Sequence, residues 1–109
     1  MWVFTTSGFL SAVYKEGALQ VRARDRKSLD ALAKSTGAAI IATPLADYPY
    51  RIAITNEQFS NWLSQQALAI DYKNFKSEIS DTRGYGFAKP LNKVILELVP
   101  AEKDLKVWF

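Results

Sequence analysis

The chain contains no cysteine and no histidine. Without cysteine there is no disulfide framework, no thiolate nucleophile and no thiolate metal site. Without histidine the commonest general base near neutral pH and the commonest metal ligand are gone. Ser-His-Asp, Cys-His and histidine-based metal chemistry are therefore excluded within one chain. The expectation is a protein without metal, without cofactor and without enzymatic activity. Long apolar runs are missing too. The longest, Ala38 to Ala42, is too short to cross a bilayer, so no membrane partner is expected. Met1 to Ser7 has neither a basic n-region nor a long apolar core, and it does not read as a secretory signal. A cysteine-free chain of this kind fits a reducing cytoplasm.

What is present is ordinary for a globular protein: 49% hydrophobic and 23% charged residues in a chain of 109. Such a chain buries roughly two thirds of its unfolded surface and needs no staple. One domain over 1–109 is expected, with 101–109 as a C-terminal tail or edge strand. The net charge of +3 and the sequence pI near 9.2 permit a polyanionic partner without demanding one.

Trp2 to Thr6 and Phe9 to Tyr14, rich in aromatic and β-branched residues, predict two strands or one strand bent at Ser7-Gly8. Lys15 to Ala18 is a turn. Leu19, Val21 and Ala23 then alternate with Gln20, Arg22 and Arg24, the pattern of a half-buried strand in a hairpin with its predecessor. Asp25 is placed to cap a helix over 26–36, which Gly37 stops. Ala38 to Thr43 and Tyr50 to Thr55 predict a second hairpin around a loop with Pro44 and Pro49. Thr55-Asn56-Glu57-Gln58 has the form of a capping box. It opens a helix whose apolar face is Phe59, Trp62, Leu63, Ala67 and Ile70. A restart is expected at Asp71, because aspartate is a strong cap and a poor interior residue. Residues 81–87 read as a loop. Pro90 reads as the first residue of a last helix burying Leu91, Val94, Ile95 and Leu98, and Pro100 as its end. The economical fold is α+β: a two-layer sandwich with an antiparallel sheet of four to five strands and helices on one face. Its elements run strand-strand-helix twice, followed by further helices.

Four segments carry a resemblance. They are Phe4 to Val13, Leu19 to Arg24, Asp47-Tyr48-Pro49-Tyr50-Arg51, and Ile70-Asp71-Tyr72-Lys73-Asn74-Phe75-Lys76. On these segments the chain resembles a family of small bacterial and phage proteins of about this length. The likeness covers about residues 2–80 and departs at the C-terminal end. It implies a folded domain of bacterial or phage type and brings no mechanism.

Two acidic-aromatic-basic stretches are the first candidate site. Gathered together, Asp47, Tyr48, Tyr50, Arg51, Asp71, Tyr72, Asn74 and Lys76 would offer a planar fork for phosphate, rings for stacking and hydrogen-bond edges for a base. The plainer reading makes them structural: Asp71 caps a helix, Tyr50 faces the core, and Arg51 pairs with Asp47 or Asp71. The second candidate is the strand face carrying Gln20, Arg22 and Arg24, which Arg51 could join as a nucleic-acid platform. Against it stands a simple solvated face, with interleaved acids diluting the charge. A sheet that recognises RNA would also pair aromatics on its central strands, and the neighbouring strand is read as offering none in register. Arg83-Gly84-Tyr85-Gly86-Phe87 lacks the third glycine and the Walker residues of a phosphate loop. Trp108 and Phe109 suggest a docking tail and a homodimer. The favoured expectation is a small interaction module that binds another protein or itself. Nucleic-acid or nucleotide binding, and inhibition of a host defence system by a phage protein, are the alternatives.

Overall fold

A computed structural model describes residues 1–102 of the chain. The fold is α+β, with a five-stranded antiparallel sheet and four helices among the described residues. The packing divides the chain into two compact units, Met1–Tyr72 and a second that begins at Lys73.

The first unit opens with β1 (Trp2–Thr5), β2 (Gly8–Lys15) and β3 (Ala18–Ala23). Of the two readings open for residues 2–14, two strands or one bent strand, the chain takes two separate antiparallel strands, β1 and β2, so three strands precede the first helix where the strand-strand-helix outline has two. Between them Thr5 Oγ1 accepts from Ser7 N at 3.2 Å, and Gly8 takes φ 142°, where a side chain would be strained. Met1 extends the pairing: its nitrogen donates to Ala12 O, and its carbonyl accepts from Ala12 N, at 2.8 Å each. Glu16 and Gly17 join β2 to β3 with positive φ at both positions. That is the turn geometry that matches the natural twist of a hairpin.

Helix α1 (Lys27–Thr36) follows, and Asp25 serves its N-terminus by accepting from Ser28 N at 2.9 Å. Gly37, at φ 74°, closes the helix with a bond from its N–H to Ala33 O. The strand expected over 38–43 shrinks to β4 (Ile41–Ala42), whose two residues pair with the first two of β5 (Tyr50–Ile54). Ala38 and Ile40 instead turn their side chains onto the core as irregular chain. Thr43 N donates to Pro49 O at 2.6 Å and closes the loop between β4 and β5. The sheet order is β1-β2-β3-β5-β4.

The capping box forms as read. Gln58 N donates to Thr55 Oγ1 at 3.0 Å, and Thr55 N donates to Gln58 Oε1 at 2.9 Å. It opens α2 (Asn56–Leu68). Leu10, Ala12, Leu19, Val21, Ala23, Ile52 and Ile54 form one face of the sheet, and Leu29 and Leu32 of α1 with Phe59 and Trp62 of α2 pack over it. This is the two-layer part of the fold. Each fully buried Leu, Ile or Val contributes about 1.5–3 kcal/mol. The expected inward face of α2 stops early: Ala67, in its last turn, and Ile70, beyond its end at Leu68, are both exposed.

The second unit is a helix pair, α3 (Phe75–Arg83) and α4 (Tyr85–Glu102). The restart falls three residues later than Asp71, which lies in irregular chain. Asn74 is the cap, accepting on its side-chain oxygen from Ser77 N at 3.0 Å. Asparagine caps as well as aspartate does. The expected loop over 81–87 is a one-residue break at Gly84, with helix on both sides. Pro90 and Pro100 both lie inside α4 and do not mark its ends. Pro90 N, which has no hydrogen to donate, sits in the second turn. Ile79, Ala88 and Leu91 form the small core of this unit, with Phe75 and Phe87 against it. Val94, Ile95 and Leu98, expected to be buried, are exposed. At 1.5 Å per residue α3 is about half as long as α4, so the apolar stripe of α4 outruns its partner within the unit. Ala101 and Glu102 continue α4, and the edge strand or docking tail expected beyond them falls outside the described residues.

Candidate arginine-aromatic sheet face

The face of the sheet turned away from α1 and α2 is set by the strand period. Residues two apart share a face, so the residues between the core positions point the other way. The pairing then aligns Trp2 with Ser11, Ser11 with Arg22, Arg22 with Arg51, and Arg51 with Ile41. One row crosses all five strands, with an indole at one end and two guanidiniums in the middle.

Tyr48 organises the arginines. The Arg22 guanidinium lies 4.5 Å and that of Arg24 5.1 Å from the centre of its ring. Arg51 Nη2 donates to the Tyr48 carbonyl at 3.4 Å, and Arg51 Nη1 to Gln20 Oε1 at 3.3 Å. The loop between β4 and β5 therefore carries a residue that gathers three cations, two at its ring and one at its carbonyl. Arg22 Nη2 also donates to Ser11 Oγ at 2.9 Å, and Ser11 is buried. Among the described residues no carboxylate bridges any of the three arginines, so the expected ion pair of Arg51 with Asp47 or Asp71 does not form. Asp47 and Asp71 are exposed.

This arrangement is costly for a free protein. Like charges directly opposite on neighbouring strands are destabilising. The Nε atoms of Arg22 and Arg51 are both buried and lack a hydrogen-bond partner, and an unsatisfied buried donor costs about 1–3 kcal/mol. Arg22 Nη1 makes no hydrogen bond among the described residues, and Arg24 is exposed. Cations of this kind suit a phosphate, which accepts planar forks from arginine.

Beside the arginines lies an aromatic group that the sequence reading missed. Phe4 pairs with Phe9 across β1 and β2, and their rings are 4.8 Å apart. Trp2 stands edge-on to Phe9 at 5.7 Å. Trp2 is 71% and Phe4 39% exposed. The two-residue turn at Thr6-Ser7 puts Phe4 opposite Phe9, whereas the bend at Ser7-Gly8 that the sequence suggests would set Thr6 opposite Phe9. The expectation that no neighbouring aromatic stands in register is thereby corrected.

The first candidate site does not assemble as one group. Tyr48 and Arg51 belong to the sheet face with Arg22 and Arg24, whereas Tyr50 packs on the core side. Asp71 and Tyr72 end the first unit, and Asn74 and Lys76 stand in the second. There Asn74, Lys76 and Asn92 border a shallow cleft of about 330 Å³ between α3 and α4, with Lys76 Nζ donating to Asn92 Oδ1 at 2.7 Å. The Gly-x-Gly stretch is absorbed into the helices, and Arg83 stacks on Phe87 at 4.2 Å.

Among the described residues no three or more Asp and Glu side chains converge as a metal site would need. No helix among them is long and apolar enough to cross a membrane. Comparisons with known protein families, with curated proteins and with solved structures find no match.

Proposed function

We propose that the chain is a nucleic-acid-binding module that takes the phosphate backbone on its open sheet face. The observation that carries this reading is three guanidiniums gathered on Tyr48, two at its ring and one at its carbonyl, with no carboxylate among the described residues bridging them. A ligand that supplies counter-charge from outside would relieve such a cluster. Phosphate does this well, because its oxygens accept from more than one arginine at once. Arg22 and Arg24 are the contacts, and Arg51 and Ser11 hold Arg22 and Tyr48 in place. An acidic protein surface offers the same charge with less regular spacing.

Fluorescence anisotropy with labelled oligonucleotides at rising salt tests the reading. Affinity should fall linearly on a double-logarithmic plot. Replacing Arg22 and Arg24 by alanine should flatten that slope by about 0.7 per arginine for a single strand. Polyglutamate of equal charge serves as the control. Binding to polyglutamate alone, or no binding to either polymer, would discard the reading.

A protein contact has its own support in the second unit, where Val94, Ile95 and Leu98 of α4 are exposed beyond the reach of α3. Self-association through that stripe would double the sedimentation mass as concentration rises. A monomer mass throughout would remove it.

A further inference from the structure

We infer that the ligand of the open sheet face is a single strand whose unpaired base lies on the Trp2–Phe4–Phe9 shelf while a neighbouring phosphate meets Arg22 and Arg24. The inference rests on the phosphate reading and adds the class of nucleic acid to it. Its basis is the row that crosses the sheet. Trp2 and Arg22 are both aligned with Ser11, one on each side of it. Two strand spacings separate them, about 10 Å, and that is within the reach of one nucleotide and its neighbour. Phe4 and Phe9 stand in the next row, two residues away along β1 and β2, and Arg24 follows Arg22 by the same step. The aromatic rings and the cations therefore form two parallel borders on one surface.

The rings are also held open for stacking. Phe9 is half-buried beneath Trp2 and Phe4, which lean on it at interplanar angles of 77° and 42°. Neither ring covers the other, and Trp2 remains 71% exposed. An exposed tryptophan beside a phenylalanine offers a flat apolar platform on which a base can stack. In a duplex the base faces are stacked inside, so a duplex could touch the arginines and would leave Trp2 idle. An unstacked base has a free π-face, and stacking on an aromatic side chain tolerates any sequence. Single strands are thus the class that uses both borders.

The test compares an oligothymidine with a duplex of equal length at one salt concentration, for the wild type, Trp2→Ala, Trp2→Tyr and Arg22→Ala. The expected result is tighter binding of the single strand and a loss of about tenfold in Trp2→Ala. Trp2→Tyr, which keeps a ring, should recover most of that loss. Arg22→Ala should weaken the binding of any nucleic acid. If the duplex binds as well as the single strand and Trp2→Ala is without effect while Arg22→Ala still weakens binding, the inference is overturned and the phosphate reading stands. If no oligonucleotide binds, both fall together.

Discussion

Arg22 and Arg51 lie directly opposite each other in the β3–β5 pairing, and each buries an Nε–H that finds no acceptor. Two cations face to face in the middle of a sheet oppose folding. They are held by what surrounds them: Ser11 Oγ takes one terminal nitrogen of Arg22, Gln20 and the Tyr48 carbonyl take both terminal nitrogens of Arg51, and the Tyr48 ring lies against Arg22. The neighbours fix the two guanidiniums without neutralising them. The charge is left available to a ligand.

Replacing Arg51 with methionine keeps the aliphatic stem and removes both the like-charge contact and one buried donor. Stability should rise by about 0.5–1 kcal/mol, a few degrees in Tm. Oligonucleotide affinity should fall in the same variant. A thermal melt and an anisotropy titration of one sample read both effects, and a lower Tm would show that Arg51 contributes more to the fold than it costs.

Tyr48→Ala removes the ring on which Arg22 and Arg24 rest. Each exposed contact of this kind is worth about 0.5–1 kcal/mol, so loss of both should show in urea unfolding as about 1–2 kcal/mol. Tyr48→Phe keeps the ring and should melt like the wild type, since neither stacking contact uses the hydroxyl. A Tyr48→Phe variant as unstable as Tyr48→Ala would mean that the hydroxyl is needed.

The cap of α3 distinguishes two neighbouring residues. Asn74→Ala should cost about 1 kcal/mol of helix stability, seen as faster amide exchange at Ser77, whose N–H it receives. Asp71→Ala should leave that amide unchanged, because Asp71 lies in irregular chain before the helix. The opposite pattern would restore Asp71 as the cap.

Leu32 is fully buried between α1 and the sheet, among Leu29, Val21 and Ile52. Leu32→Ala should destabilise the chain by about 2–5 kcal/mol through lost transfer energy and the cavity left behind. Denaturant unfolding measures it. A loss below about 0.5 kcal/mol, the range of surface changes, would mean that this core is not the one that holds the sheet.

Local chemistry made most of the first unit legible. Leu19, Val21 and Ala23 alternate because one side of β3 is buried, and Thr55 and Gln58 cap α2 with two bonds that need only each other. The failures lie where tertiary context decides. Asn74 and Asp71 are equivalent as caps, so sequence could not choose between them. Pro90 reads as a helix start because prolines favour the first turn, yet α4 begins five residues earlier at Tyr85. The arginine face was half legible. Gln20, Arg22 and Arg24 share a side by alternation alone, whereas the position of Arg51 opposite Arg22 depends on β3 pairing with β5 across an intervening helix and strand. The grouping of Tyr48 with three arginines needed a loop conformation that no spacing encodes.

The most direct measurement is a two-dimensional nitrogen–proton NMR titration of the arginine Nε–H region with a short single-stranded oligonucleotide. Burial should slow exchange of the Arg22 and Arg51 Nε protons and keep their signals visible in the free protein. As the strand is added, the Arg22 and Arg51 signals and the Trp2 indole signal should move together to one saturation point, with the amides of Leu29 and Leu32 in α1 unmoved. Arginine signals that stay fixed at saturating oligonucleotide, or shifts confined to α3 and α4, would contradict a ligand on the open sheet face.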